Sequence, residues 1–224
     1  MRSRLVIIAA ACLVICTFVL PPVFAEKAKP IRLPEPQVSS GKLLMQALKE
    51  RKTSRKFSNG KLSQQQLSNL LWAAFGVNRP DTGRRTAPSA FNKQEIDIYV
   101  ATSDGVHLYD AEAHSLIPVL SEDIRVLTGT QSYVKNAAVN LVYVSTPSKM
   151  KQKKEMARLI ITSANTGFIS QNVYLFCASA GMATVFRDGI DKKKLAEVLK
   201  LKDGQRINFA QSVGAPESGK QVPN

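Results

Sequence analysis

Midway along the first half, the chain reads Arg85-Thr86-Ala87-Pro88-Ser89-Ala90-Phe91-Asn92-Lys93-Gln94, and the segments on either side of this stretch decide the fold. Downstream, Ile96 to Ala101 and Val106 to Tyr109 are strand-like runs joined by Ser103-Asp104-Gly105, which predicts a hairpin. Leu116 to Leu120 and Ala138 to Ser145 read as further strands, the second closed by Pro147. Upstream, Leu67, Leu70, Leu71 and Ala74 recur at helical spacing between the cap candidate Ser63 and the stop Gly76. An earlier amphipathic helix, opened by Ser40 or Gly41, runs through Leu43, Leu44, Ala47 and Leu48. Residues 78–89 are too rich in Gly, Arg and Pro for core and are expected to form a loop.

Beyond Pro147 the spacing predicts a long helix from Ser148 to about Ala180, stopped by Gly181, with Lys-rich first turns and with Ile169, Val173, Leu175 and Phe176 suited to burial. Ala183 to Phe186 is a short strand, Lys192 to Leu199 a short helix that Asp191 can cap, and Ile207 to Val213 a last strand. Strands grouped between helices imply an α+β layer fold with a mixed sheet. There are no internal repeats.

The 224 residues include 44% apolar and 7% aromatic side chains, which is globular rather than disordered, collagenous or polytopic-membrane composition. One domain of ordinary size is expected. At the N-terminus, Arg2 and Arg4 precede an apolar run from Leu5 to Leu20. Val23-Phe24-Ala25 then leads into polar sequence, the layout of a secretory signal peptide cleaved after Ala25. The alternative is an uncleaved signal anchor, although the run is short for a span of about 20 residues. The expected organisation is thus a leader at 1–25, an extended arm at 26–41 carrying Pro30, Pro34 and Pro36, and a domain at 42–224. The expected location is periplasmic or secreted, with membrane contact only during export. Cys177 is the one cysteine outside the leader, which rules out an intrachain disulfide, and with only two histidines no zinc site is expected.

Lys and Arg number 31 against 17 Asp and Glu, for a formal charge of +14, which falls to +12 without the leader. Clustered cations attract phosphates. The basic residues, however, lie in several separate stretches without a zinc-finger, helix-turn-helix or RNA-recognition pattern, so no nucleic-acid partner is expected.

Three segments carry the candidate chemistry. Arg51-Lys52-Thr53-Ser54-Arg55-Lys56-Phe57 concentrates cations and hydroxyls suited to a phosphate monoester. Arg85 to Gln94 offers main-chain amides and the side-chain amides of Asn92 and Gln94, which could bond the polar edge of a heterocycle. Gly181 to Asp191 follows the long helix. Each also has an ordinary reading, as a basic helix end, a surface loop and a helix stop.

In this order the three segments resemble the nitroreductase family of FMN proteins, especially its thiazoline/oxazoline-dehydrogenase-like (SagB-type) subgroup, over residues 42–215. The Arg85 to Ala90 run is close to the subgroup's form, and Asn92-x-Gln94 is closer to the general family. The resemblance implies an α+β homodimer with a mixed, mainly antiparallel sheet flanked by helices, and FMN in clefts at the subunit interface. It further implies that Arg51, Lys52, Thr53 and Arg55 hold the ribityl phosphate and the flavin's polar edge, while Pro88, Ser89, Ala90 and Asn92 reach the flavin from the other subunit. Asp188-Gly189 falls beside flavin N5, with Gln131 and Lys220 as further candidates. The implied activity is hydride transfer at N5 between an unidentified electron donor and a small-molecule substrate, the protein supplying orientation rather than an acid/base pair. The chain departs from the family at Lys52 and Thr53, where Arg and Ser are commoner, and at Arg187, a cation where an apolar residue is usual. It also lacks the usual Arg downstream of Gly214-Ala215-Pro216. The competing expectation is a flavin- or polyanion-binding protein without catalysis.

Overall fold

The computed structural model describes residues 29–150 and 154–217. A seven-stranded sheet runs in the order β1-β6-β5-β4-β7-β9-β8, built from β1 (Ile31–Arg32), β4 (Ile96–Thr102), β5 (Gly105–Asp110), β6 (Ser115–Leu120), β7 (Val139–Ser145), β8 (Ala183–Arg187) and β9 (Arg206–Gly214). β2 (Val77–Arg79) and β3 (Arg84–Arg85) form a separate ribbon. Every pairing among the described strands is antiparallel, in keeping with the expected mainly antiparallel sheet. The helices are α1 (Leu44–Glu50), α2 (Gln64–Phe75), α3 (Glu155–Ala180) and α4 (Lys192–Val198). None among the described residues is long and apolar enough to cross a membrane.

Strand periodicity explains the layering. Ile96, Ile98 and Val100 of β4 point to one face with Leu141 and Tyr143 of β7, where Leu70, Leu71 and Phe75 of α2 and Ile169 and Val173 of α3 cover them. Tyr99 and Ala101 point the other way, into a second core with Val142, Val144, Ile207 and the α4 residue Leu195. The central strands are therefore covered on both faces.

Local signals set the helix ends. In α2 the Ser63 side chain accepts from the Gln66 N–H while the Gln66 side chain returns to the Ser63 N–H, a complete capping box, and Gly76 ends the helix. Gly181, at φ 69°, stops α3 in a left-handed conformation that costs glycine nothing. Asp191 caps α4 through the Lys194 N–H.

Four expectations need correction. α1 starts at Leu44 rather than Ser40 or Gly41, because Gly41 turns at φ 110° and the Lys42 N–H donates to Ser179 Oγ (2.7 Å), docking this segment on the end of α3. Its leucines are outward: Leu43, Leu44 and Leu48 are exposed and only Ala47 is buried. α3 starts at Glu155, since Pro147–Lys149 is a 3₁₀ turn. The polar stretch 78–89 contains the β2–β3 ribbon and the buried Ala87. The arm, finally, is partly woven in: Ile31 and Arg32 pair with β6, Leu33 is buried, and the Leu33 N–H donates to the His114 carbonyl (3.1 Å). The leader at 1–25 lies outside the described residues.

The long helix is amphipathic with inverted polarity. Its buried side carries Thr162, Asn165, Thr166 and Ser170 beside Ile169 and Val173, while Met156, Leu159, Ile160 and Phe168 face outward. Inside, Asn165 donates to Glu95 Oε1 (2.6 Å) and Asn208 to Thr166 (3.1 Å), while Glu95 Oε2 is buried without a partner among the described residues.

Candidate functional site

A cleft of about 880 Å³ lies between the segment after α1, the C-terminal end of α3 and the start of β8. One wall carries Lys49, Arg51, Lys52, Ser54 and Lys56; the other carries Cys177, Gly181, Met182, Ala183 and Thr184, with Pro216 and Glu217 at the rim. Three backbone links fix the basic wall: the Ser54 N–H donates to the Thr184 carbonyl (2.9 Å), the Ser58 N–H to the Ala215 carbonyl (3.0 Å), and Phe57 bridges to Pro216. Tyr174 is the brace beneath. Its hydroxyl accepts from the Phe186 N–H (3.0 Å), which leaves its proton for Thr53 Oγ1 (3.0 Å), and the Arg51 guanidinium stacks on its ring at 5.3 Å.

The charge of the cleft is largely uncompensated. Lys42 pairs with Glu50, whose carboxyl is held below its usual range first by that hydrogen bond and then by the one from Gln46. Lys49, Arg51, Lys52 and Lys56 make no ion pair among the described residues. Four cations converging on one concave surface suit a multiply charged anion. Cys177 reaches the wall as a fully buried thiol pushed up to about 12 by burial, which makes it a packing residue rather than a nucleophile.

The other expected residues are distributed as follows. Arg51 and Lys52 line the cleft, Thr53 turns to Tyr174, and Arg55 is exposed outside it. Ser54, Lys56 and Thr184, which lie within the expected segments without an assigned role, also line it, as does Lys49, which lies outside them. The signal for two of them was available, since Lys52, Ser54 and Lys56 alternate with the period of two of an extended chain.

Pro88, Ser89, Ala90 and Asn92 do not line this cleft. They form a tight turn in which Phe91, Asn92 and Gln94 all have positive φ, at 54°, 50° and 47°, an uncommon conformation for side-chain-bearing residues. The turn is locked where the Gln94 N–H donates to Ser89 Oγ (3.0 Å) and the Gln94 side chain donates to the Gly83 carbonyl (2.9 Å). It presents Phe91, 78% exposed, to solvent.

Asp188 and Gly189 follow β8 directly. Asp188 pairs outward with Lys192 (2.6 Å), while the Gly189 carbonyl accepts from the Thr130 N–H (2.8 Å). The Gln131 side chain packs where a Cβ on Gly189 would stand, and its Oε1 is buried without a partner among the described residues. The structure thus joins Gln131 to Gly189. Lys220 lies outside the described residues.

A phosphate-bearing heterocycle fits this donor set: the volume is within the range of cofactor pockets, and Lys49, Arg51, Lys52 and Lys56 make no ion pair among the described residues.

Comparison with known proteins agrees with this geometry. A solved structure from Ralstonia eutropha JMP134, provisionally named a nitroreductase, superposes with a TM-score of 0.81 at 38% identity, over 87% of this chain and 92% of that one. A relative from Methanocaldococcus jannaschii, also provisionally named a nitroreductase, is 27% identical over 170 residues, which is 71% of this chain and 85% of its own. The NADPH:FMN oxidoreductase of Vibrio harveyi, solved with NAD+, shares the fold at 19% identity and a TM-score of 0.60, over 81% of this chain and 72% of that one. The nitroreductase family pattern matches residues 48–215, three-quarters of the sequence with the basic wall, the strained turn and the β8 end inside it, and the chain belongs to this family of oxidoreductases.

Proposed function

We propose that the protein is an exported, FMN-dependent, nitroreductase-like oxidoreductase that works as a homodimer on a small substrate. The observation that carries this is the cationic wall Arg51, Lys52 and Lys56, held against β8 without counter-ions. In this reading Arg51, Lys52 and Lys56 hold the phosphate, and the Ser54–Thr184 link keeps that wall at a fixed distance from β8. Gln131 and Gly189 border the ring. Bound FMN supplies a ring that takes up and passes on a hydride at N5. Lys42 and Glu50 at the cleft are tied to each other as an ion pair, and in this reading the chain's contribution is binding, orientation and charge.

The inverted amphipathicity of α3 supports the dimer. Met156 (66% exposed) and Ile160 (61%), one turn apart, lie on the outward side of α3, and Leu43 and Leu44 are exposed at the start of α1. Such a patch on an ordinary soluble chain marks an interface. A second copy seated on it would cover these side chains and could bring the rigid Pro88–Asn92 turn to the other copy's cleft. The resemblance of Arg85 to Ala90 supports placement near the SagB-type subgroup. The leader-like residues 1–25 support export, which places the protein away from cytoplasmic nicotinamide, so the reductant is to be sought among quinols and other periplasmic donors as well.

The test is the absorbance spectrum of residues 26–224 recovered from the periplasm, and again after incubation with FMN and desalting. Retained flavin bands that bleach with dithionite are the expected result; a colourless protein in both cases overturns the assignment. The unpaired lysines of the cleft would also suit a flavin- or polyanion-binding protein without catalysis. Flavin that binds but accepts no electrons from any donor, or steeply salt-dependent polyanion binding without flavin affinity, would favour that second reading.

A further inference from the structure

Arg187 closes β8 with a buried guanidinium, 7% exposed, whose partners are all neutral. Nη2 donates to Thr128 Oγ1 (3.0 Å) and Asn140 Oδ1 (3.1 Å), Nη1 to the Thr128 carbonyl, and Nε to Ser212 Oγ (3.3 Å). The adjacent acid, Asp188, is turned out to Lys192, and Arg187 makes no ion pair among the described residues. Burial lowers its pKa to about 10, which leaves it charged at neutral pH. A buried charge without a counter-ion is costly, and an apolar side chain of similar volume would fill the same space without that cost.

The residue lies on the strand that borders the proposed cofactor site. Thr184, which lines the cleft, is three residues away on the same strand, a span of about 10 Å. The guanidinium also grips Thr128, and the turn continues through Gly129, where the guanidinium fills the space of any side chain, to Thr130 and Gln131 against Gly189.

We propose that Arg187 sets the electrostatic potential at the β8 side of the cleft, favouring an anionic over a neutral ring there, and that its hold on Thr128 positions Gln131 against Gly189. This rests on the FMN reading above. At a separation comparable to that backbone span, a unit charge with an effective dielectric constant near 20 favours an anion on the order of tenfold. The reduced, anionic flavin is therefore bound more tightly relative to the oxidised form than it would be without Arg187.

The experiment compares wild-type protein with R187M, R187K and N140D. N140D places a carboxylate on Nη2, neutralising the cation in place if R187M fails to fold, at the loss of the Asn140 bond to the Val134 carbonyl. Oxidised-FMN affinity is read by fluorescence titration, and the midpoint potential by dithionite titration against a reference dye. R187M and N140D are expected to hold oxidised FMN within about threefold of wild type. The relative affinity for reduced FMN should fall about tenfold in both, a potential about 30 mV more negative for the two-electron couple, with R187K staying near wild type. Potentials in R187M and N140D within twofold of wild type in relative affinity would overturn the proposal alone. So would an R187K shift as large as that of R187M, because charge would then not be the cause. Wild-type protein that retains no FMN would overturn the cofactor reading and this proposal with it.

Discussion

Lys52, Ser54 and Lys56 face the cleft because alternate residues of an extended segment share a side, while Thr53 is captured by Tyr174. Two arginines that look equivalent in sequence also differ, since Arg51, the C-cap residue of α1, lines the cleft and Arg55 does not. R51A is expected to weaken FMN by more than tenfold and riboflavin little, since a charge-assisted bond of about 1.5–3 kcal/mol is lost only where a phosphate is present. R55A should change neither, and comparable weakening of both ligands by R51A in fluorescence titrations would remove the phosphate assignment. The cationic character of the wall was legible from composition alone, but the direction of each side chain depended on the Ser54–Thr184 hydrogen bond, which joins residues 130 positions apart. His114 gives a second test. Ser68 Oγ donates to the Pro34 carbonyl (2.5 Å) and so accepts from His114 Nε2 (2.7 Å), leaving Nδ1 to accept from the Tyr109 hydroxyl (2.9 Å). The ring is therefore held neutral, its pKa lowered chiefly by burial. Because the unfolded chain then binds the proton more readily, stability is constant above the ordinary histidine value near 6.5 and falls as pH drops below it. Thermal melting from pH 8 to 5 should show this decline, and H114Q should flatten it. An unchanged slope in H114Q would transfer the effect to His107, the other histidine whose pKa burial lowers.

Among the elements, α2 was readable at both ends because its signals are local: a Ser–Gln capping box, a three-to-four spacing and a terminal glycine within fourteen residues. S63A should cost about 1 kcal/mol, and L70A, which empties a fully buried site, about 2–5 kcal/mol. Urea unfolding of the two variants checks the order, and a costlier cap than core would contradict the packing described. Where signals were non-local the sequence was less informative. β1 is two residues long and exists only because β6 offers an unpaired edge, so no periodicity could announce it. The Lys-rich run before α3 has the composition of an exposed helical turn, yet the 3₁₀ turn at Pro147 delays the helix to Glu155. The apolar residues of α3 carried an ambiguous message, since Ile160 and Ile169 are alike in sequence and only packing against the sheet decides that Ile169 is inside.

For the whole molecule, the proposed dimer would cover the outward face of α3 that carries Met156 and Ile160. I160E, at the centre of that face, should convert a dimer to a monomer in sedimentation and reduce flavin retention together. A dimer unaffected by I160E would place the interface elsewhere. The basic wall could be read from the sequence; the role of the strained turn could not, because Phe91 is exposed rather than packed into the core. The order of the sheet carries one more consequence. β1 and β8 are its opposite edges, six strand spacings or about 29 Å apart, and the chain enters through β1, fastened by Leu33 and His114. Anything attached ahead of Lys29, be it a fluorophore, an electrode linker or a lipid bilayer, is moored to the rim remote from the cleft. Immobilisation through that end would leave the cleft open to the surrounding solution.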